Sequence, residues 1–549
     1  MKVVLDIETN SQHNKIWLAV TRDIETGAVV SWKEANGLQK YLDNCDLIIM
    51  HNGICFDAPV LRQSWKVSMK PSQVCDTLVL SRLLSPSLEG GHSLAAWGQR
   101  LGFPKDDFSD WDGGLTAEME KYCIQDTLVT EKLYKHLVLE LKQQKFDQRS
   151  IDLEHKVQAI IAKQERNGFK LDERKATILL SELQGKLSAI EAEMQSIFPT
   201  KTIERVSEKT GKPLKAKVEV FNPGSRKQIA ERLQEKGWKP DRFTETGQPI
   251  VDEGTLEGID IPEAKAINEY LMLQKRVAQI ESWLKALGSD GRVHGKVITN
   301  GAVTGRMTHM SPNMAQVPNS GSPYGEDCRD LWIVDKGYKL VGIDASGLEL
   351  RMLAHYMKDD AYTSEVVSGD IHTANQKAAG LETRNQAKTF IYAFLYGAGD
   401  AKIGTVVGAG AEEGKELKSR FLQNTPSLEE LRQLVSKIAK NKGTLPGLDG
   451  RRVQVRSDHA ALNTLLQSAG AIVMKQALVL LNDELRRAKI NYKFVANVHD
   501  EWQIEVEEAR AEEAGKLGVL SIERAGKVLN MRCPLSGEYK VGNSWKETH

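Results

Sequence analysis

The sequence has no surplus of charge of either sign. Its 549 residues carry 74 Lys+Arg against 74 Asp+Glu, a formal net charge of zero. That excludes a protein that coats nucleic acid by bulk cationic attraction, and it leaves any grip on phosphates to local patches. Cysteine is scarce. The six, at positions 45, 55, 75, 123, 328 and 533, form no CxxC pair and no dense framework. This argues against a structural zinc site and fits a reducing compartment. No uninterrupted run of 18 apolar residues occurs, so nothing reads as a membrane span. The opening MKVVLDIETN reaches an acid after three apolar residues and does not read as a signal peptide. Repeats and low-complexity tracts are missing too. What is present, 41% hydrophobic and 27% charged residues, describes a packed globular chain, with length for roughly three or four domains.

The first fifty residues alternate β-rich runs with polar turns. VVLDIET (3–9), IWLAV (16–20) and AVVSW (28–32) read as strands, 36–44 as a helix, and DLIIMHN (46–52) contains a fourth strand. That order predicts an α/β layer. Residues 117–140 and most of 150–198 follow a helical pattern. Within the latter, Leu180, Leu183, Leu187, Ile190, Met194 and Ile197 step by threes and fours along a narrow seam. Such a seam packs on a neighbouring helix of the same chain, or on a second chain as a coiled coil. Residues 201–240 hold eleven Lys or Arg against five Glu, interrupted by Gly and Pro. A local excess of this kind either grips phosphates or forms a solvated loop.

Three constellations carry chemistry. In the first, Asp6 and Glu8 lie two apart on a strand and therefore share a face. Asp57 follows in HNGICFD. Asp126 lies on the 117–140 helix with Tyr122 one turn before it. Any one such acid is more often a surface residue. Together they offer the hard oxygen ligands that a pair of divalent ions needs, with a Tyr placed to orient an attacking water. In the second, Arg384, Lys388, Tyr392 and Tyr396 recur every fourth residue in TRNQAKTFIYAFLYGAG, with Gly397 as a stop. Cations suit a triphosphate and rings a base or sugar, although such stripes also occur as solvated faces. In the third, Asp344 ends the β-like run of KLVGIDASGLELR, and Asp500 sits where two β-like runs meet in FVANVHDEWQIEV. Two carboxylates at one sheet edge are the minimum for two-metal phosphoryl transfer. Two unrelated strand-end acids are the alternative.

These motifs resemble known families. DxE, NxxxFD and YxxxD resemble the DEDD-type 3′–5′ exonucleases of the ribonuclease-H-like fold, in the Tyr subtype. DASGLELR, RNQAKTFIYAFLYG and VHDE resemble motifs A, B and C of the family A (DNA polymerase I-like) DNA polymerases, and TGRMTHMSPNMAQVP (304–318) a further segment of that family. GAVTGR, SPYGE, GDIHT, GLDGR and AALNTLLQSAGA resemble its podovirus replicative subgroup. The resemblance runs from DIETN to His549.

The resemblance implies an α/β multidomain chain. A ribonuclease-H-like 3′–5′ exonuclease domain (1–145) precedes a right-hand polymerase. That polymerase comprises a thumb (146–290) with a short basic loop near 199–219, palm (291–356, motif A), fingers (357–455, motif B helix 384–396) and palm again (456–549, motif C). Asp344, Asp500 and the Ala345 carbonyl would hold two Mg²⁺, with Mn²⁺ as a substitute, and Asp6, Glu8, Asp57 and Asp126 a second pair. Tyr122 would position the water for trimming. Lys388 would contact the triphosphate and protonate the leaving pyrophosphate. Arg384 and His372 would bind its phosphates. Tyr392 would stack near the incoming sugar and base and admit dideoxynucleotides, and Glu349 would crowd a 2′-OH. Tyr396 would stack on the template. Arg306, Asn463, Gln467 and His499 would contact the primer–template minor groove, where every correct pair presents acceptors. The implied partners are primer–template DNA, dNTPs, a phage helicase–primase and a single-stranded-DNA-binding protein, for a monomer with no membrane partner in the cytoplasm of an infected bacterium. The exonuclease acids begin at residue 6, which leaves no room for a 5′ nuclease domain and favours a phage replicative enzyme. Where subgroup members carry a long thumb insertion that recruits host thioredoxin, only TKTIERVSEKTGKPLKAKV stands here. That argues against thioredoxin as a partner.

Overall fold

The computed structural model describes residues 1–206 and 211–549. The N-terminal part is built on a five-stranded sheet in the order Val29–Trp32, Ile16–Asp23, Lys2–Thr9, Leu47–Met50, Val74–Asp76. The first three strands pair antiparallel and the last two join parallel. Val3, Val4, Leu5, Ile48, Ile49 and Met50 are fully buried. Such continuous apolar runs mark central strands covered on both faces. Helix Ala117–Gln143 packs across the sheet, with Met119 and Cys123 against Leu18 and Val20. The three strands, helix and fourth strand expected from sequence are all present. The fifth strand, Val74–Asp76, is three residues long and carries too little pattern to read.

Two helices follow, Gln148–Asn167 and Glu173–Ile197, separated by the short strand Phe169–Leu171. The apolar seam of the second packs within the chain. Leu183 lies in one core with Leu273, Val277 and Ile280 of helix Pro262–Lys285, and Met194 in another with Ala264 and Ile267. The segment read as a basic loop is instead an antiparallel hairpin of Lys201–Val206 and Pro213–Glu219. Thr202, Ile203, Val206 and Val218 give these runs enough β character to pair. Residues 207–210 of that segment lie outside the described residues.

The largest core gathers the C-terminal half around a four-stranded antiparallel sheet in the order Tyr492–Val498, Glu501–Glu507, Tyr338–Ala345, Gly537–Gly542. Helix Ala461–Arg487 runs through this core. It is long and apolar enough to cross a membrane, with mean hydropathy 1.5 over an 18-residue window. That window is 78% buried inside the protein, as befits a core helix. Asn463, Gln467 and Lys475 interrupt its apolar pattern, which is why no uninterrupted run appears in the sequence.

Candidate active sites

Strand Tyr338–Ala345 sits in the middle of the C-terminal sheet, and its last residues carry the first acid. Asp344 pairs in register with Glu501 on one side and Glu538 on the other. Asp500 lies in the two-residue turn that joins Tyr492–Val498 to Glu501–Glu507, where His499 adopts φ 56°. The Ala345 N–H donates to the Asp500 carbonyl at 3.1 Å. Folding thus fixes the two motifs by a main-chain bond. Burial, then the Asp500 charge, pushes the Asp344 carboxyl up to about 8. Burial, then Glu349, pushes Asp500 up to about 6. Carboxylates raised first by burial and then by neighbouring acids suit a bound cation. Glu501, between them in the sheet, is different. It accepts from Trp545 Nε1 at 2.6 Å and pairs with His549 Nδ1 at 2.7 Å, and its pKa falls.

A cleft beside these acids is lined by Arg306, Glu349, Lys475, His499 and Asp500, among others. The Tyr396 hydroxyl donates to Glu349 Oε1 at 2.8 Å, and Arg306 stands 3.7 Å from the same oxygen. Asn463 Nδ2 donates to the Tyr396 carbonyl at 3.4 Å, and Gln467 Nε2 to Asn463 Oδ1 at 2.8 Å. Five residues singled out in the sequence therefore form one polar chain along this wall.

Helix Arg384–Leu395 starts on Thr383, whose side chain and that of Gln386 make a reciprocal capping box. Ala387, Phe390, Ile391 and Leu395 are buried. The opposite stripe leaves Arg384 and Lys388 exposed, Tyr392 half-buried, and Tyr396 at the C-terminal cap before Gly397 at φ 75°. Arg384 Nε bonds Asp370 Oδ2 at 2.8 Å. Asp370 also caps helix Ile371–Ala379, which carries His372 in its first turn. The His372 and Tyr392 rings lie 6.1 Å apart, and burial with Arg384 and Lys388 nearby lowers the imidazole pKa. Asp370 was not marked by the sequence, since a lone acid before a helix reads only as a cap.

The second group of acids lies on the N-terminal sheet. One ligand atom each from Asp6, Glu8 and Cys123 falls within 4.8 Å of the others. The Cys123 thiol donates to Asp6 Oδ2 at 3.3 Å. Asp57 and Asp126 stand outside that tight group, but both are buried and near enough for their charges to count. Burial, then Asp6 and Asp126, drives Glu8 up to about 10, and burial with Asp126 drives Asp6 up to about 7. Asp57 is also raised well above the ordinary range, by burial and then Asp6. Asp126 is the least raised, to about 6, because Lys105 Nζ lies 2.5 Å from its Oδ2. Its other oxygen, Oδ1, is buried with no hydrogen-bond partner. Oxygen-rich, repelling carboxylates with an unpartnered buried lone pair fit divalent ions such as Mg²⁺. Tyr122 is buried beside Asp126, with the Lys105 ammonium 4.6 Å from its ring centroid. Lys105 and Cys123 escaped the sequence reading. Neither spacing nor residue type sets them apart.

Residues 192–547 match the model of DNA polymerase family A. The chain is 36% identical to the DNA-directed DNA polymerases of Enterobacteria phage T3 and of Escherichia phage T7, covering all of this chain and all of each relative. Those alignments run to 707 positions, so both relatives carry insertions that this chain of 549 residues lacks. It is 28% identical to DNA polymerase I of Aquifex aeolicus over 98% of this chain and 95% of that one. Among solved structures, the POL domain of Pol1 from M. smegmatis, in complex with DNA primer-template and dNTP, matches with a TM-score of 0.83 at 20% identity. The match covers 100% of this chain and 96% of that one. At that identity the likeness speaks for the fold alone.

Proposed function

The chain belongs to DNA polymerase family A, and from that membership we propose a DNA-dependent polymerase that extends a primer 3′ end with dNTPs and trims mispaired 3′ ends at a second site. The observation that carries this reading is the segregation of buried carboxylates into two sets. Asp344 and Asp500 are joined through the main chain in one sheet, and Asp6, Glu8, Asp57 and Asp126 gather around another.

In this reading Asp344, Asp500 and the Ala345 carbonyl hold Mg²⁺, for which Mn²⁺ can substitute. The bound ions supply Lewis-acid activation of the primer hydroxyl and neutralise the phosphates. The remaining roles belong to side chains. Arg384 exchanges Asp370 for a phosphate of the incoming nucleotide, since both are exposed and the pair is easily given up. Lys388 and His372 complete the triphosphate grip, and Lys388 passes a proton to the leaving pyrophosphate. Tyr392 stacks near the sugar and base. Glu349 lies five residues after Asp344 and leaves no space for a 2′-OH. Tyr396 must leave Glu349 before it can stack on the template. Arg306, Asn463, Gln467 and His499 contact the duplex minor groove. Closing of helix 384–396 would assemble the site.

In the trimming site Asp6, Glu8, Asp57 and Asp126 hold the ions, and Tyr122 orients the attacking water. The domains are proposed as 1–145 for this ribonuclease-H-like exonuclease, 146–290 for the thumb, 291–356 and 456–549 for the palm and 357–455 for the fingers. The hairpin near 199–219 replaces the thioredoxin-recruiting insertion and meets duplex DNA with Lys201, Arg205, Lys215 and Lys217. Helicase–primase and a single-stranded-DNA-binding protein are the proposed partners of a monomeric phage replicative enzyme in the cytoplasm of its host.

A silent DNA-binding scaffold and a single-subunit RNA polymerase are the competing readings. Primer extension with dNTPs against NTPs separates all three. Asp344→Ala or Asp500→Ala should lower extension on the order of a thousandfold or more and spare trimming. Asp6→Ala with Glu8→Ala should do the reverse. Extension that survives the first pair sinks the palm assignment.

A further inference from the structure

The loop of residues 102–116 brings a single cation into the trimming site. Lys105 Nζ lies 2.5 Å from Asp126 Oδ2 and 4.6 Å from the Tyr122 ring centroid. Asp126 Oδ1 is left buried without a partner. One carboxylate oxygen is thus occupied by the ammonium and the other is free.

The loop is fixed at several points. Phe103 N–H donates to the Gly98 carbonyl at 2.9 Å, and a Cβ on Gly98 would stand 2.6 Å from the Phe103 carbonyl. Gln125 Nε2, on the helix that carries Tyr122 and Asp126, donates to the Pro104 carbonyl at 3.2 Å. Further along, Trp17 Nε1 donates to the Trp111 carbonyl at 2.8 Å, and the Ser11 hydroxyl to Asp112 Oδ2 at 2.6 Å. Phe108 and Trp111 close on the Tyr122 ring at 5.8 and 5.6 Å. Lys105 is therefore delivered by a braced backbone and is not a side chain sampling solvent.

We propose that Lys105 is a positioning residue of the trimming site: it holds Asp126 by one oxygen, so that the carboxylate offers an ion only the other, and its ammonium lies against the ring of Tyr122, whose hydroxyl orients the attacking water. The inference rests on the exonuclease reading given above. A carboxylate freed from Lys105 can turn and grip an ion with both oxygens, and the site also loses a positive charge. Both changes favour the ion. Neither favours the reaction, because the ion is then held in the wrong arrangement and the water loses its guide.

The test uses the full chain. In an Asp344→Ala/Asp500→Ala background, which removes the two C-terminal carboxylates proposed to hold ions, Mn²⁺ binding is measured by calorimetry. The 3′–5′ degradation of a single-stranded oligonucleotide is measured on the same proteins. With Lys105→Met, Mn²⁺ should bind several-fold more tightly. The trimming kcat should fall by about tenfold or more while KM changes little. Lys105→Arg should restore part of both, since guanidinium keeps the charge and the donors. Primer extension by Lys105→Met in the otherwise native chain, at the native rate, shows that the fold survives. Trimming at the native rate overturns the proposal. So does Mn²⁺ binding that weakens together with trimming, because that is what a merely structural lysine would give. A native chain that fails to trim overturns the exonuclease reading itself, which is a separate outcome.

Discussion

At the scale of single residues, the two acid sets show how far spacing carries. Asp6 and Glu8 could be read because strand periodicity puts them on one face. Asp126 and Tyr122 could be read because one helical turn separates them. Neighbouring groups with no such regularity stayed hidden. His51 is one. Burial, reinforced by Lys105 and Arg82 and opposed by Asp76, pushes its imidazole down to about 4 from 6.5. Its Nδ1 pairs with Thr77 Oγ1 at 2.8 Å, so the neutral ring is already satisfied. As pH falls from 6.5 towards 4, the unfolded chain takes up a proton that the folded chain refuses. Stability is therefore lost on acidification through that window and is fully present above it. Urea midpoints measured from pH 7 to 4.5 should show this, and His51→Gln should flatten the acid side of the curve by about 2 kcal/mol. A variant curve parallel to the native one would remove His51 as the cause.

Elements were easier to read than the contacts between them. The helix over 384–396 could be placed from its four-residue stripe and from Gly397, and the hairpin at His499–Asp500 from two flanking β-like runs. The hairpin of 201–219 was missed because nearly all of its described residues are exposed, with Lys, Arg and Glu interspersed among Ile203, Val206, Leu214 and Val218, and such a mixed, unburied run reads as a loop. Loop 102–116 had no period to read at all, and of the contacts that fix its course, the close approach of Gly98 to Phe103 is local while those to Ser11 and Trp17 join residues far apart in sequence. Gly98→Ala pushes a methyl into the Phe103 carbonyl. The backbone that delivers Lys105 must then shift by some tenths of an ångström. The expected result is trimming slowed about tenfold with extension unchanged, read by running both assays on the same preparation. Trimming at the native rate would mean that the loop absorbs the methyl without moving Lys105.

The whole molecule is tied together by charge that sequence gives no hint of. Glu154, Asp449, Arg451 and Lys475 are all buried, and Glu154 Oε1 takes both Arg451 and Lys475 at 2.7 Å. They come from helix Gln148–Asn167, from the GLDGR turn and from the long core helix, so the network spans the junction behind the Asp500 cleft that Lys475 also lines. Burial lowers Lys475 to about 8 even with Glu154 beside it. Removing the shared acceptor leaves two cations facing Asp449 alone in a dry interior. Glu154→Ala should therefore cost about 3 to 5 kcal/mol, seen as a lower denaturation midpoint and as loss of extension on mild warming. A midpoint within error of the native value would show that water relieves the network.

The bond from Ala345 N–H to the Asp500 carbonyl has a consequence for how such proteins diverge. Both of its atoms belong to the peptide chain, so no side-chain substitution other than proline at position 345 deletes them. The distance between the two acid-bearing corners is therefore a legacy of strand order, and the apolar residues around it are free to be exchanged over generations. A match of the whole architecture at 20% identity is what such tolerance would leave behind.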